Sequence, residues 1–163
     1  MLAVAAVQRH LHATAGTEAI EIRPYLEQLR KSLADSMIGQ SRSIAVDVVV
    51  DEARATSSEA VSLGLIVTEL MINALKHAFP AEKAGSKIRV RYETSPSGWR
   101  LTLSDNGVGK RDESSPLARV GLGTSIVAAL AEQLHARVDT IGSASGTAVS
   151  VTHSTFAAAP GAA

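Results

Sequence analysis

Four polar side chains interrupt a stretch that is otherwise apolar enough to be buried, Gly64-Leu-Ile-Val-Thr-Glu-Leu-Met-Ile-Asn-Ala-Leu-Lys-His-Ala-Phe-Pro80. On an α-helix, at about 100° per residue, Asn73 stands about 40° round from Glu69, Lys76 about 20° to the other side and His77 about 80° round. The four form one longitudinal stripe, and Leu63, Val67, Leu70, Met71, Ala74, Leu75 and Ala78 fill the remaining surface. A polar stripe on an amphipathic helix ordinarily faces water. This one is narrow, and it holds an amide and an imidazole where a solvated face would carry Lys and Glu in numbers. It suits a helix lining a polar pocket, with Asn73 able to hold a divalent cation.

Two glycine-containing segments add to that chemistry. Asp105-Asn-Gly-Val-Gly109 directly follows a strand-like segment. Asn-Gly is a strong hairpin signal, but the polar, Pro-containing segment KRDESSPLARV follows instead of a strand. Two glycines beside a carboxylate permit close backbone approach by a ligand, and Asp105 is an acceptor able to take an exocyclic N–H from a purine. Gly121-Leu-Gly-Thr124 stands at the start of a helix, where unpaired N–H groups and the positive end of the dipole make an anion site. Its plainer reading is an ordinary helix start capped by Thr124 or Ser125. Taken together, an adenine acceptor, a phosphate cradle and a cation-holding Asn make a nucleotide site.

The elements that must position these residues follow from periodicity and punctuation. Ile22–Met37 is expected as a helix with Pro24 in its first turn and Leu26, Leu29 and Leu33 on one side. Ser43–Asp51 is β-branched and strand-like. A long helix over 57–79 starts at the capping box Thr56-Ser-Ser-Glu59 and stops before Pro80. Lys87–Glu93 and Trp99–Ser104 alternate and form a hairpin. Leu122–His135 is a helix, and Arg137–Ile141 with Thr147–His153 form a last hairpin across residues 142–146. Leu2–His12 is expected as helix and Phe156–Ala163 as a disordered tail. This order is not strict β-α-β alternation, so the fold class expected is α/β, a two-layer sandwich with a mixed sheet of about five strands and helices on one face.

Composition excludes several functions. The 163 residues, 45% hydrophobic, make one domain of ordinary size. Sixteen basic and sixteen acidic residues balance to a formal net charge of zero, so no charge bias points to nucleic acid or an anionic membrane. There is no cysteine, which fits a reducing compartment. No uninterrupted apolar run approaches about 18 residues, so no membrane segment is expected. The apolar Met1–Val7 has no basic region before it and does not read as a signal peptide.

In this order the motifs resemble the Bergerat-fold (GHKL) ATP-binding domain shared by sensor histidine kinases, anti-sigma-factor serine kinases, gyrase and mismatch-repair ATPases. The likeness runs from about Ile22 to Val151. ELMINALKHAFP resembles the N box, LTLSDNGVG the first glycine box and GLGTSIVAALAEQLHA the second, with a closing Gly146-Thr147. The group most similar is the bacterial two-component histidine kinases classed beside the HWE kinases. The Trp-x-Glu signature of HWE kinases proper is not present, since Trp99 is followed by Arg100 and Leu101.

The resemblance implies roles. Asp105 contacts the adenine amino group, with Gly107 and Gly109 beside the base. Asn73 is the Mg²⁺ ligand. Lys76 and His77 lie near the phosphates of ATP, and Glu69 polarises the attacking nucleophile. Gly121, Leu122, Gly123 and Thr124 form the phosphate end of a short lid, and Thr147 belongs to the binding site. The implied function is transfer of the ATP γ-phosphoryl group to a histidine not in this chain, for relay to a response-regulator receiver domain. The phosphoacceptor histidine helix would lie in the same full-length protein or in a dimer partner, the full-length protein being a homodimer in the cytoplasm. Residues 1–16 would be a remnant of the second dimerisation helix and 17–155 the catalytic domain. His10 and His12 lack the phosphoacceptor context, and His135 and His153 fit the final helix and an edge strand. Two alternatives remain: an anti-sigma-type serine kinase, and a non-catalytic histidine-phosphotransfer docking module.

Overall fold

A computed structural model describes residues 19–39, 43–81, 83–109 and 122–154. In chain order the elements are β1 (Ile20–Glu21), α1 (Ile22–Leu33), a π-helical turn (Ala34–Ile38), β2 (Ile44–Val50), β3 (Arg54–Ala55), α2 (Ser57–His77), β4 (Ser86–Ser95), β5 (Gly98–Asp105), α3 (Leu122–Gln133), β6 (Ala136–Ser143) and β7 (Gly146–Ser154). Five strands form one sheet in the order β2-β4-β5-β7-β6. β2 runs parallel to β4, a pairing that needs a crossover, and α2 is that crossover. The remaining pairs are antiparallel. The sheet is therefore mixed, with helices on one face, as expected from the sequence.

Alternation along the strands separates the two faces. Ile88, Val90 and Tyr92 of β4, Leu101 and Leu103 of β5 and Val151 of β7 are buried against the helices. Their neighbours Lys87, Arg89, Arg91 and Thr102 turn to the open face, where Lys87 pairs with Asp47 at 3.0 Å. The Lys87 ammonium bonded to it, helped by Arg89, holds the Asp47 carboxyl below the usual carboxylate range.

α2 is the spine of the helical layer. Its capping box is formed in both directions: Thr56 Oγ1 accepts the Glu59 N–H at 3.2 Å and the Glu59 carboxylate accepts the Thr56 N–H at 2.9 Å. Ala60, Leu63, Ile66, Val67, Leu70, Met71, Ala74 and Leu75 are buried. Among the described residues, α2 is the one helix long and apolar enough to cross a membrane, with a mean hydropathy of 1.4, but 61% of that window is buried inside the domain. It is a core helix. Gly64 is required where α1 crosses it, because a Cβ there would strike the Tyr25 hydroxyl.

Several boundaries differ from expectation. α1 ends at Leu33 and a π-helical turn carries the chain on to Ile38, closed by Gly39 at φ 61°. The two-residue ribbon of β1 and β3 was not foreseen; two residues carry no periodicity. β6 extends to Ser143 and β7 starts at Gly146, so the last turn is tighter than a five-residue loop. α3 stops at Gln133 and His135 takes a left-handed φ of 52°. His153 is not on an edge strand, because β7 lies between β5 and β6. The expected helix over 2–12 with His10 and His12, the dimerisation remnant 1–16, the loop 110–120, Gly121 and the tail 156–163 lie outside the described residues.

Candidate functional site

Asp105 is the last residue of β5, paired with Ile88 of β4 on one side and Thr147 of β7 on the other. It shares the helix-facing side of the sheet with both. One carboxylate oxygen, Oδ1, accepts the Gly107 N–H at 3.0 Å. The other has no partner among the described residues. The loop then turns onto α2: the Val108 N–H donates to the carbonyl of Ala78, the residue that closes the helix, at 2.9 Å.

The two glycines are dictated by this docking. A Cβ on Gly107 would collide with the Ala78 carbonyl. Gly109 stands at φ 67°, and a Cβ there would collide with the Ser143 carbonyl of the β6–β7 turn. Asp105, Gly107, Gly109 and Thr147 are thus brought to one corner, between the end of α2 and the β6–β7 turn.

The stripe lies on the second half of α2, the half that ends at the Ala78 docking. Glu69 and Asn73 are half-buried, while Lys76 and His77, in the last turn, are exposed. Among the described residues none of the four engages its side chain in a hydrogen bond or ion pair. Half-buried carboxylate and amide groups ordinarily have protein or water partners, so Glu69 and Asn73 are open to water or to a ligand. No group of three His, Asp or Glu side chains among the described residues could by itself hold a metal ion. Any cation here would take most of its ligands from elsewhere.

α3 packs along α2. Val127 and Ala131 are its buried residues, and Thr124 is exposed in its first turn. Leu122 and Gly123 open the helix where the GLGT segment was expected to start it. Asn106, the Ala78 carbonyl and the Ser143 carbonyl were not anticipated as parts of the corner. Only the Asn-Gly pair signalled one of them, and it signalled a turn.

Residues 17–153 match the histidine kinase-like ATPase domain family, and the chain belongs to that family. It is a catalytic ATPase domain of the histidine kinase type, homologous to sensor histidine kinases. It is 28% identical over 140 residues to a blue-light-activated histidine kinase 2 of Erythrobacter litoralis, covering 85% of this chain and 40% of that protein. It is 32% identical over 89 residues to the sensor histidine kinase PdtaS of Mycobacterium tuberculosis, covering 55% of this chain and 18% of that one. The chain thus spans less than half the length of either relative. The histidine kinase domain of the E. litoralis EL346 blue-light-activated kinase superposes with a TM-score of 0.78 at 25% identity, over 92% of this chain and 76% of that domain.

Proposed function

We propose that this domain binds ATP at the corner between α2, β5 and α3 and transfers its γ-phosphoryl group to a histidine on a separate phosphoacceptor helix, for relay to a receiver domain. The observation that carries this reading is the set of unengaged polar groups, Glu69, Asn73 and one Asp105 oxygen, on elements that the loop 105–109 ties together. Asp105 accepts the exocyclic amino group of adenine, and Gly107 and Gly109 let the base approach the backbone. Thr147 lies beside Asp105 in register and belongs to the same wall. Lys76 and His77 meet the phosphates, and Gly121, Leu122, Gly123 and Thr124 receive them at the start of α3. The far end of α3 supports that direction: the Leu134 carbonyl accepts His153 Nδ1 at 3.0 Å, at the opposite end of β7 from Thr147.

Phosphoryl transfer asks the protein mainly for positioning and charge stabilisation. Mg²⁺ prefers oxygen ligands and keeps many from water and phosphate, so the single amide oxygen of Asn73 fits it, and the ion would neutralise phosphate charge when bound. Glu69, one helical turn from Asn73, would accept a hydrogen bond from the N–H of the acceptor imidazole, so that the other ring nitrogen attacks the γ-phosphorus with its lone pair as ADP leaves. The full-length protein would be a cytoplasmic homodimer that supplies the acceptor helix.

The experiment is phosphotransfer from labelled ATP to a histidine-bearing dimerisation helix supplied in trans. Label that is lost in acid and kept in base is the expected result. Acid-stable label would show a hydroxyl acceptor and overturn the histidine assignment.

A further inference from the structure

Asn106 is exposed, yet it makes three hydrogen bonds to the start of β4. Its N–H donates to the Lys87 carbonyl at 3.2 Å. Its side-chain oxygen accepts the Lys87 N–H at 2.7 Å and its side-chain nitrogen donates to the Gly85 carbonyl at 2.7 Å. The β4–β5 ladder ends at the pair Ile88–Asp105. Beyond it the main chain leaves the sheet at Gly107 to dock on Ala78. Asn106 therefore completes the next rung with its side chain: its backbone N–H still bonds Lys87, and its amide oxygen takes the Lys87 N–H in place of a backbone carbonyl, with the amide nitrogen reaching Gly85.

That splint bears directly on Asp105. The carboxylate is oriented by the Gly107 N–H, and the place of that N–H is set by the residue between them. We propose that Asn106 is a positioning residue for base selection: by locking the strand-to-loop junction to Gly85 and Lys87, it fixes the Asp105 carboxylate in the one orientation that leaves its second oxygen for a purine 6-amino group. This rests on Asp105 being the acceptor for that group. Asn106 does not touch the nucleotide. Its loss lets the junction swing and the carboxylate lose its aim, while the phosphate contacts, made from α2 and α3, stay as they were. A purely structural role would instead weaken every nucleotide alike.

The test compares dissociation constants, by calorimetry with Mg²⁺ present, for ATP and for purine riboside triphosphate, in which hydrogen replaces the 6-amino group. Both ligands carry the same charge, so their ratio cancels changes in phosphate attraction. Wild type is expected to prefer ATP by about tenfold to a hundredfold, the worth of one hydrogen bond to a charged group. Asn106→Ala is expected to bring the ratio within about threefold of unity, mostly by weakening ATP. Asn106→Asp keeps the acceptor for Lys87 and lacks the donor to Gly85, so its ratio falls between; it also decides the question if the alanine variant does not fold. Thr102→Ala removes a hydrogen bond to Ser150 on the open face of the sheet and keeps the wild-type ratio. A wild-type ratio in a folded Asn106 variant, or equal weakening of both nucleotides, overturns the proposal while leaving the site assignment standing. A wild type that binds both analogues equally overturns the adenine assignment and this inference with it.

Discussion

At the end of the sheet where β5 starts, polar side chains are paired within the protein. Trp99 stacks between Tyr92 and His153, with ring centroids 5.8 and 5.7 Å apart. His153 Nδ1 donates to the Leu134 carbonyl at 3.0 Å, Asp51 accepts the Thr94 N–H at 2.9 Å, and the Arg23 guanidinium donates twice to the Val50 carbonyl at 3.1 and 2.8 Å. The capping box of α2 closes on itself nearby. At the other end, where β5 finishes, Glu69, Asn73, Lys76, His77 and one Asp105 oxygen have no partner among the described residues. Backbone there is held through Val108, Asn106 and the fitted glycines. What differs is that these five groups are left open, although Asn106 and Lys87 beside them are engaged. Under the proposed function these open groups are the ones a nucleotide would engage, and the contrast sets them apart from an end whose polar side chains are paired internally.

The largest expected effect that would break this contrast is at Gly109. Gly109→Ala places a Cβ against the Ser143 carbonyl at a left-handed φ. It should destabilise the domain by on the order of 2 kcal/mol and weaken ATP by about tenfold or more, because the loop that seats the base cannot dock. Chemical unfolding and calorimetry measure both. A variant with unchanged ATP affinity would remove this loop from the site.

High pH probes the structural end. Burial, with a smaller contribution from the Glu59 carboxylate, pushes the Tyr92 hydroxyl up to about 12, and burial raises Tyr25 further. These are folded-state values above the ordinary tyrosine value, so their contribution to stability is complete below about pH 10; that of Tyr92 is lost as pH rises through about 12, and that of Tyr25 at higher pH still. For Tyr92 the loss should be on the order of 2 kcal/mol. Tyrosinate absorbance should rise together with loss of circular dichroism. Ionisation without unfolding near pH 10 would contradict the burial of both rings.

A smaller effect sharpens the same comparison. His153→Ala removes one hydrogen bond and one stacked ring and should cost about 1–2 kcal/mol of stability. ATP affinity should stay within about twofold, since a mutation well away from a site ordinarily leaves its energetics alone. Trp99 is the only tryptophan, so its fluorescence reports this end directly.

Much of the helical and strand layout was legible because it rests on local signals. The capping box at Thr56, the alternation in KIRVRYE and WRLTLS and the β-branched run before Asp51 each led to the element found. The stripe on α2 was legible as a spacing, but periodicity does not say that Glu69 and Asn73 are half-buried while Lys76 and His77 emerge. What failed depended on long-range pairing. The place of His153 on an interior strand is set by the order β5-β7-β6, which no local pattern encodes. Asn106 shares its side chain with Lys87, nineteen positions away, so its dipeptide signal pointed to a turn instead. The β1–β3 ribbon joins Ile20 to Ala55 and Glu21 to Arg54, a pairing between distant segments.

The central claim is that Asn73 and Asp105 serve one nucleotide. Calorimetric titration of wild type, Asn73→Ala and Asp105→Ala with Mg²⁺-ATP tests it most directly, with circular dichroism to show that each variant is folded. The predicted result is saturable binding by wild type and a loss of at least about tenfold in both variants, the scale of a charged hydrogen bond or ion contact removed. Wild-type affinity in a folded Asp105→Ala protein would contradict it.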